Sequence, residues 1–198
     1  MKFVLASNNA NKLREMRELL AFEGIELVSQ REAGCDFAVE ESGASFEENA
    51  YLKAIAVTRA VGLPAVADDS GLMVNALGGA PGIYSARYTG SHEDSDAART
   101  AFLLEKLGNE ENRAAKFACA LCCTFPNGDV LRAYGECPGS ILQKPRGSGG
   151  FGYDPVFLPE GREKSMAELS EAEKNAISHR GRAMRKFVEE LRKYYADK

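Results

Sequence analysis

Two adjacent carboxylates, Asp68 and Asp69, are the residues of this chain best suited to chemistry. They follow the short apolar run Leu63-Pro64-Ala65-Val66, which predicts a strand that ends at the acids and leaves them facing a cleft. Crowded carboxylates repel each other unless a cation offsets their charge, and hard oxygen ligands of this kind suit Mg²⁺ with bound phosphates. The alternative is an acidic turn, because Asp-Ser-Gly is common in turns, and these residues alone favour the turn.

A second acidic pair, Glu40-Glu41, precedes a helix that we predict to begin near Ser45. Alone it is typical of a solvated charge run, but together with the first pair it is a candidate second source of metal ligands. Lys53 follows Asn49 by four residues on the same helix, so the two side chains share a face. An ordinary exposed lysine is the alternative interpretation.

A polar loop lies between the first predicted strand and the first predicted helix. Unpaired N–H groups and the macrodipole at a helix start favour phosphate, and a lysine there adds positive charge. A helix-capping loop is the alternative, and the P-loop pattern G-x-x-x-x-G-K-[ST] is absent. The loop consists of Ser7, Asn8, Asn9, Ala10, Asn11 and Lys12.

Near the end of the chain, Ser178 is a candidate N-cap that would place His179 and Arg180 at the start of the last helix. Their donors could reach acceptors on a ligand. His179 could act as a general base, but a hydrogen-bond donor or a structural histidine is an equal alternative.

Two further patterns do not carry the function that they suggest. Gly147–Gly152 matches G-x-G-x-x-G, but Asp154-Pro155 follows where a dinucleotide-binding fold needs a helix, so only a glycine-rich loop bearing Phe151 remains. Cys119 and Cys122 match C-x-x-C, but residues three apart in a strand point to opposite faces, so we expect a core strand rather than a metal site or disulfide.

The elements that must position these residues alternate between strands and helices. We predict strands at 2–6, 25–29, 72–77, 117–125 and 130–137, and helices at 12–22, 45–61, 95–107 and over the C-terminal portion from Ser170. The Asn127-Gly128 pair predicts a hairpin between the last two strands. The fold class is therefore α/β with a mixed sheet and flanking helices.

Composition and charge restrict the kinds of partner and compartment that we expect for this protein. The 25 basic and 29 acidic residues give a net charge of −4, which argues against binding to a nucleic-acid polymer. No apolar stretch approaches the ~20 residues of a membrane span, and the start of the chain lacks a secretion leader, so we expect a cytoplasmic protein. The five cysteines are expected to be reduced thiols.

Six motifs occur in an order that resembles the inosine/xanthosine triphosphate pyrophosphatases. They span nearly the whole chain and are Ser7-x-Asn9-x-x-Lys12, Ser45-Phe46-x-Glu48-Asn49-Ala50-x-x-Lys53-Ala54, Ala67-Asp68-Asp69-Ser70-Gly71-Leu72, the run from Leu77 to Arg87, the run from Gly149 to Pro155, and Glu173-Lys174-Asn175-x-Ile177-Ser178-His179-Arg180.

The resemblance implies an enzyme that hydrolyses deaminated purine nucleoside triphosphates, ITP, dITP and XTP, to the monophosphate and pyrophosphate. It implies a single elongated domain over residues 1–198 with two lobes around a central cleft, in a homodimer. It assigns residues 7–12 to the phosphates, Glu40 and Asp69 to Mg²⁺, and Asp69 also to the attacking water. The substrate site would be lined by Lys53, Ser70, Phe151, Gly152, Tyr153, Asp154 and Lys174, with His179 and Arg180 at the base.

On this basis we expect a water oriented by Asp69 to attack the α-phosphorus. Donors from His179, Arg180 and backbone N–H groups would select the 6-carbonyl of the purine, and Phe151 would stack on the ring. Two alternatives are a pyrophosphatase for other modified nucleotides and a non-catalytic nucleotide sensor. Whether Glu40 or Glu41 binds metal, and what Asp68 does, stay open at this stage.

Overall fold

The computed structural model describes residues 1–20, 24–91 and 93–196. Six strands form one sheet in the order β2-β1-β3-β4-β5-β6. Their bounds are β1 Lys2–Leu5, β2 Glu26–Ser29, β3 Ala65–Val74, β4 Ala114–Thr124, β5 Val130–Ile141 and β6 Phe157–Pro159.

The sheet is mixed, as predicted. Strand β1 pairs in parallel with β2, where Phe3 faces Leu27, and with β3, where Leu5 faces Val66. Strand β5 pairs antiparallel with β6. The turn between β4 and β5 lies at the predicted Asn-Gly pair, and the Phe125 N–H donates to the Asp129 carbonyl at 3.0 Å.

Five helices accompany the strands within the described residues: α1 Ala10–Leu20, α2 Phe46–Val61, α3 Asp96–Leu107, α4 Glu171–Ile177 and α5 His179–Ala196. Helix α1 begins two residues before the predicted start, and its predicted end at Phe22 lies outside the described residues. The predicted break before His179 is confirmed, because α4 ends at Ile177 and α5 follows Ser178.

Capping side chains explain where the helices begin. The hydroxyl of Ser45 accepts the N–H of Glu48 at the start of α2, although the Glu48 carboxylate accepts from Ala44 and not from the N-cap residue as in a capping box. Ser170 and Glu173 form a full capping box at the start of α4, where the sequence predicts that a helix begins.

Strand β3 corrects the sequence-based prediction for the acidic pair. Asp68 and Asp69 lie inside this continuous strand and not in a turn or at a strand end. The strand stops at Val74, so the predicted strand 72–77 is confirmed for residues 72–74, whereas residues 75–77 form the 3-10 turn Asn75–Leu77.

The described chain divides into two compact units. The first unit consists of residues 1–69, 119–135 and 180–198, and the second of residues 70–118 and 136–179. The apolar core of the first includes Phe3, Met16, Leu20 and Phe187. The core of the second includes Leu72, Leu103, Val156 and Phe157.

The predicted core strand around Cys119 is confirmed. Cys119, Leu121 and Cys123 belong to the core of the first unit, and all five cysteines are free thiols. Burial raises the pKa of Cys119 to about 12 and that of Cys122 to about 11, so neither thiol is a reactive group at neutral pH. Among the described helices, none is long and apolar enough to cross a membrane.

Candidate functional site

In the first unit, the carboxylate of Asp68 is enclosed by two cations from distant parts of the chain. Its side chain is fully buried, with Lys12 Nζ 3.1 Å from Oδ1 and Arg180 Nη2 3.1 Å from Oδ2. Burial alone would raise the pKa of Asp68, but Lys12, Arg180 and Lys53 outweigh burial and hold that pKa well below its usual range. Asp68 is therefore ionised, and the positive charges of Lys12 and Arg180 offset its negative charge.

Arg180 extends this group of charges to helix α1. Its Nη1 donates to Glu15, and its Nε lies 3.3 Å from the same Asp68 oxygen that Nη2 contacts. The guanidinium is buried, which by itself lowers its pKa, yet Asp68 and Glu15 raise the pKa further, so Arg180 stays charged. The contacts described for the Arg180 guanidinium are thus to carboxylates, whereas the resemblance places Arg180 at the purine base of the substrate.

Asp69 has a different environment from its neighbour. Lys53 Nζ donates to Oδ1 at 3.1 Å and Asn49 Nδ2 donates to Oδ2 at 3.1 Å. Burial is the largest influence and raises the pKa of Asp69; Glu41 raises it as well, while Lys53 and Lys12 lower it. A desolvated carboxylate with a raised pKa accepts protons more readily than an exposed one, as a general base must.

The sequence left open whether Glu40 or Glu41 binds metal, and the two side chains differ in their surroundings. Glu41 Oε1 accepts from Lys53 Nζ at 2.7 Å, so Glu41 and Asp69 share this lysine, while the side chain of Glu40 is exposed. Across residues 1–20, 24–91 and 93–196, no group of three or more His, Cys, Asp or Glu side chains is arranged to hold a metal ion. We call Lys12, Glu15, Glu41, Lys53, Asp68, Asp69 and Arg180 the carboxylate cluster.

The loop predicted to hold phosphate caps helix α1. The Asn9 side-chain oxygen accepts the N–H groups of Asn11 and Lys12 at 3.0 and 3.2 Å, and the Ser7 hydroxyl accepts the N–H of Asn9. The capping interpretation therefore describes the local structure. Asn8 and Ala10 are exposed at the start of the helix, where the macrodipole favours an anion.

In the second unit, the glycine-rich segment forms a turn around Asp154. We call residues 150–154 the aromatic loop. The Asp154 carboxylate accepts the N–H of Phe151 at 2.9 Å and the ammonium of Lys174 at 2.7 Å. That ammonium also lies 4.6 Å from the centre of the Phe151 ring. Gly150 has φ +69°, and a Cβ there would lie 2.1 Å from an Asp154 oxygen, so only glycine allows this turn.

The aromatic loop also contacts two residues that the sequence did not single out. The Gly152 N–H donates to Asp96 Oδ2 at 2.6 Å, and the Gly152 carbonyl accepts from the Thr100 hydroxyl at 3.5 Å. Asp96 lies in the first turn of α3, where an acidic residue is expected for the helix dipole alone, so the sequence carried no signal for this contact.

The remaining predicted site residues of this unit are partly or wholly buried. The Tyr153 hydroxyl donates to the carbonyl of Ser85 at 2.9 Å, and its ring belongs to the apolar core. The buried His179 ring stacks on Phe117 with centroids 4.8 Å apart. Ser70 is half-buried within β3.

Comparison with known proteins gives one consistent family. Residues 3–190 match the Ham1 family. A dITP/XTP pyrophosphatase from Streptomyces avermitilis is 50% identical over 196 residues, covering 96% of this chain and 97% of the relative. One from Gluconobacter oxydans is 48% identical over 187 residues, covering 94% and 89%. The solved structure of a HAM1 protein from Coxiella burnetii aligns with a TM-score of 0.89 at 42% identity, covering 98% and 99% of the two chains.

Proposed function

The chain belongs to the Ham1 family, and we propose that it hydrolyses the deaminated purine nucleoside triphosphates dITP, XTP and ITP to the monophosphate and pyrophosphate. The observation that carries this proposal is the name shared by relatives of 48 and 50% identity, dITP/XTP pyrophosphatase, over nearly the whole chain. The carboxylate cluster supplies groups that this reaction needs.

Asp69 is the residue that we assign to the attacking water. Its desolvation favours the neutral form and makes the carboxylate a better proton acceptor. Asn49 and Lys53 each hold one of its oxygens, which fixes the direction of the remaining lone pairs. In the proposed step the water oxygen bonds to the α-phosphorus and its proton passes to Asp69. The bond to the bridging oxygen then breaks and pyrophosphate leaves.

Positive charge for the phosphates comes from Lys12 and Lys53. These ammonium groups lie 3.1 Å from Asp68 and Asp69 respectively, so each is oriented by a carboxylate. The start of α1 adds a helix dipole, and we propose that residues 7–12 contact the phosphate oxygens there.

We propose Mg²⁺ as the cofactor, held by Asp69 together with Glu40 or Glu41. The donor set fits, because Mg²⁺ in nucleotide enzymes is commonly bound by one or two carboxylates and by substrate phosphates. The negative charge of Glu41 contributes to the raised pKa of Asp69, and a cation would relieve that repulsion. When bound, the ion would neutralise phosphate charge and favour ionisation of a coordinated water.

For substrate recognition we retain the residues implied by the family resemblance. Phe151 offers a flat surface for the purine, and His179 with backbone N–H groups offers donors for a 6-carbonyl. Arg180 pairs with Asp68 and Glu15, which favours a role in holding these carboxylates in place. Its predicted contact with the purine base stays a prediction. Direct substrate contacts by Ser70, Gly152, Tyr153, Asp154 and Lys174 stay predictions.

The assembly and location of the protein are further proposals. We propose a homodimer, which equilibrium sedimentation would report as about 43 kDa, twice the 21.5 kDa of the chain. We also propose a cytoplasmic location, the expectation drawn from the sequence, and no membrane or nucleic-acid partner.

A substrate panel tests the reaction. The protein is incubated with XTP, dITP, ITP and ATP, with and without Mg²⁺, and pyrophosphate and orthophosphate are measured separately. We expect pyrophosphate from the first three, at least about a hundredfold lower kcat/KM for ATP, and negligible turnover without the metal. Orthophosphate as the sole direct product would refute the proposal, and tight nucleotide binding without turnover would favour the sensor.

A further inference from the structure

We propose that Asp96 is a positioning residue that holds the aromatic loop in its binding conformation before a nucleotide arrives, and that it thereby sets the affinity for the purine. The inference rests on the proposed function in one respect, since its kinetic consequence assumes that XTP is a substrate. All the residues that carry it lie within the second unit.

Hydrogen bonds hold the backbone of Phe151 and of the residue that follows it. The Phe151 N–H donates to Asp154 Oδ2 at 2.9 Å, and its carbonyl accepts from the Asp154 N–H at 3.3 Å. Residues of α3 hold the next residue, Gly152. Its N–H donates to Asp96 Oδ2 at 2.6 Å, and its carbonyl accepts from the Thr100 hydroxyl. With its flanking peptides fixed, the direction of the Phe151 Cα–Cβ bond is fixed as well, and the Lys174 ammonium lies 4.6 Å from the ring centre.

The contact from Asp96 is the shorter of the two that tie the Gly152 peptide to α3, since the Thr100 hydroxyl lies 3.5 Å from the Gly152 carbonyl. Asp154 belongs to the loop itself, so its hydrogen bonds shape the turn without anchoring it to α3. Asp96 lies on the first turn of that helix, which Ser95 caps. Its second oxygen forms an ion pair with Arg99, and Arg99 donates in turn to the carbonyls of Asp94 and Ala86.

The conformation at Gly152 explains why such an anchor matters. This residue has φ +62°, and glycine has more unfolded-chain freedom to lose than other residues. A loop that contains Gly150 and Gly152 would sample many conformations if it were not held. A nucleotide would then have to order the loop, and the cost would appear as weaker binding.

The kinetic test compares Asp96→Ala with Glu105→Ala, which removes the same charge from an exposed position on α3. We expect Asp96→Ala to raise KM for XTP about tenfold, as for loss of a hydrogen bond to a charged group, with kcat within about twofold. Asp96→Asn keeps an acceptor oxygen and should restore most of the affinity. The control should match the wild type.

A measurement without nucleotide separates this inference from the proposed function. Amide hydrogen exchange of peptides covering 150–154 should be faster in Asp96→Ala than in wild type or Glu105→Ala. If the alanine variant does not fold, Asp96→Ser takes its place. Serine suits a helix start, but its shorter side chain moves the acceptor oxygen away from the Gly152 N–H.

The two arms give distinguishable outcomes. Faster exchange with no XTP hydrolysis by the wild type would leave the anchoring role standing and overturn the proposed function. Unchanged exchange in a folded Asp96 variant would overturn the anchoring role, as would a fall in kcat with KM unaltered.

Discussion

The carboxylate cluster of the first unit and the aromatic loop of the second are held in different ways. The cluster consists of charged side chains that hold one another, with Asp68 between Lys12 and Arg180 and with Lys53 between Asp69 and Glu41. The loop is a backbone turn whose N–H groups donate to the side chains of Asp154 and Asp96. Changes of charge should therefore disable the cluster, whereas changes of shape should loosen the loop.

Within the cluster itself, the two neighbouring aspartates have environments that suit different roles. Asp68 has two close cations and a lowered pKa, which suits a structural ion. Asp69 is desolvated and has a raised pKa, which suits a proton acceptor. Their opposite pKa shifts follow from their partners, since both are buried.

The largest effect on activity is expected from Asp69→Asn. The amide cannot take the proton of the attacking water, so kcat should fall by about 10² to 10⁴, the range for loss of a general base. The measurement is pyrophosphate release from XTP under saturating substrate, with circular dichroism as the check on folding. Near-normal turnover by a folded variant would remove Asp69 from the proposed role.

The largest effect on stability is expected from Asp68→Asn. Removing this charge leaves Lys12 without this buried carboxylate and takes one carboxylate from Arg180, which keeps Glu15, and breaking a buried ion pair in this way costs about 3–5 kcal/mol. The free energy of unfolding in urea measures the loss.

Asp69→Asn is the matched comparison for that experiment. A raised folded-state pKa means that an acid stabilises the fold below its unfolded pKa and loses this stabilisation as pH rises through the folded value. At neutral pH the neutral amide removes a desolvation penalty, so Asp69→Asn should be far less destabilising than Asp68→Asn. Equal losses would show that the two acids do not differ as described.

For the loop, Phe151→Ala should act on binding. Stacking of a base on an aromatic ring contributes about 1–3 kcal/mol, so KM for XTP should rise about five- to a hundredfold, with a smaller change in kcat. Tyr84→Ala, which removes the most exposed tyrosine ring of the same unit, is the control and should leave KM unaltered. A fall in kcat alone would mean that Phe151 acts on the chemistry and not on affinity.

A smaller difference should separate the two glutamates. Glu41 already pairs with Lys53 at 2.7 Å, whereas Glu40 is exposed, so Glu40→Gln should raise the half-saturating Mg²⁺ concentration about tenfold and Glu41→Gln less. Titration of activity with Mg²⁺ measures both. The reverse order would transfer the proposed ligand role to Glu41.

The sequence was sufficient for the mixed α/β fold and for the family. Local signals carried the helices: Ser45 and Ser170 cap where they were expected to, and the Asn-Gly pair lies in the turn before β5. The Ham1 family match confirms the predicted family, and a relative of 50% identity aligns over nearly the full length of both chains.

The sequence failed where the outcome depends on residues far apart in the chain. The sequence favoured a turn at Asp68-Asp69 because Asp-Ser-Gly is common in turns, yet both acids lie within a buried strand. The offsetting cations come from α1, α2 and α5, and Arg180 is 112 residues away from Asp68. The contact between Asp96 and Gly152 spans 56 residues and leaves no local pattern.

Isotope transfer from solvent tests the central claim most directly. Hydrolysis of XTP is run in H₂¹⁸O with Mg²⁺, and the two products are analysed by mass spectrometry. If water is delivered to the α-phosphorus, one ¹⁸O atom appears in the monophosphate and none in the pyrophosphate released. Label in the pyrophosphate, or in orthophosphate as the direct product, would contradict the account.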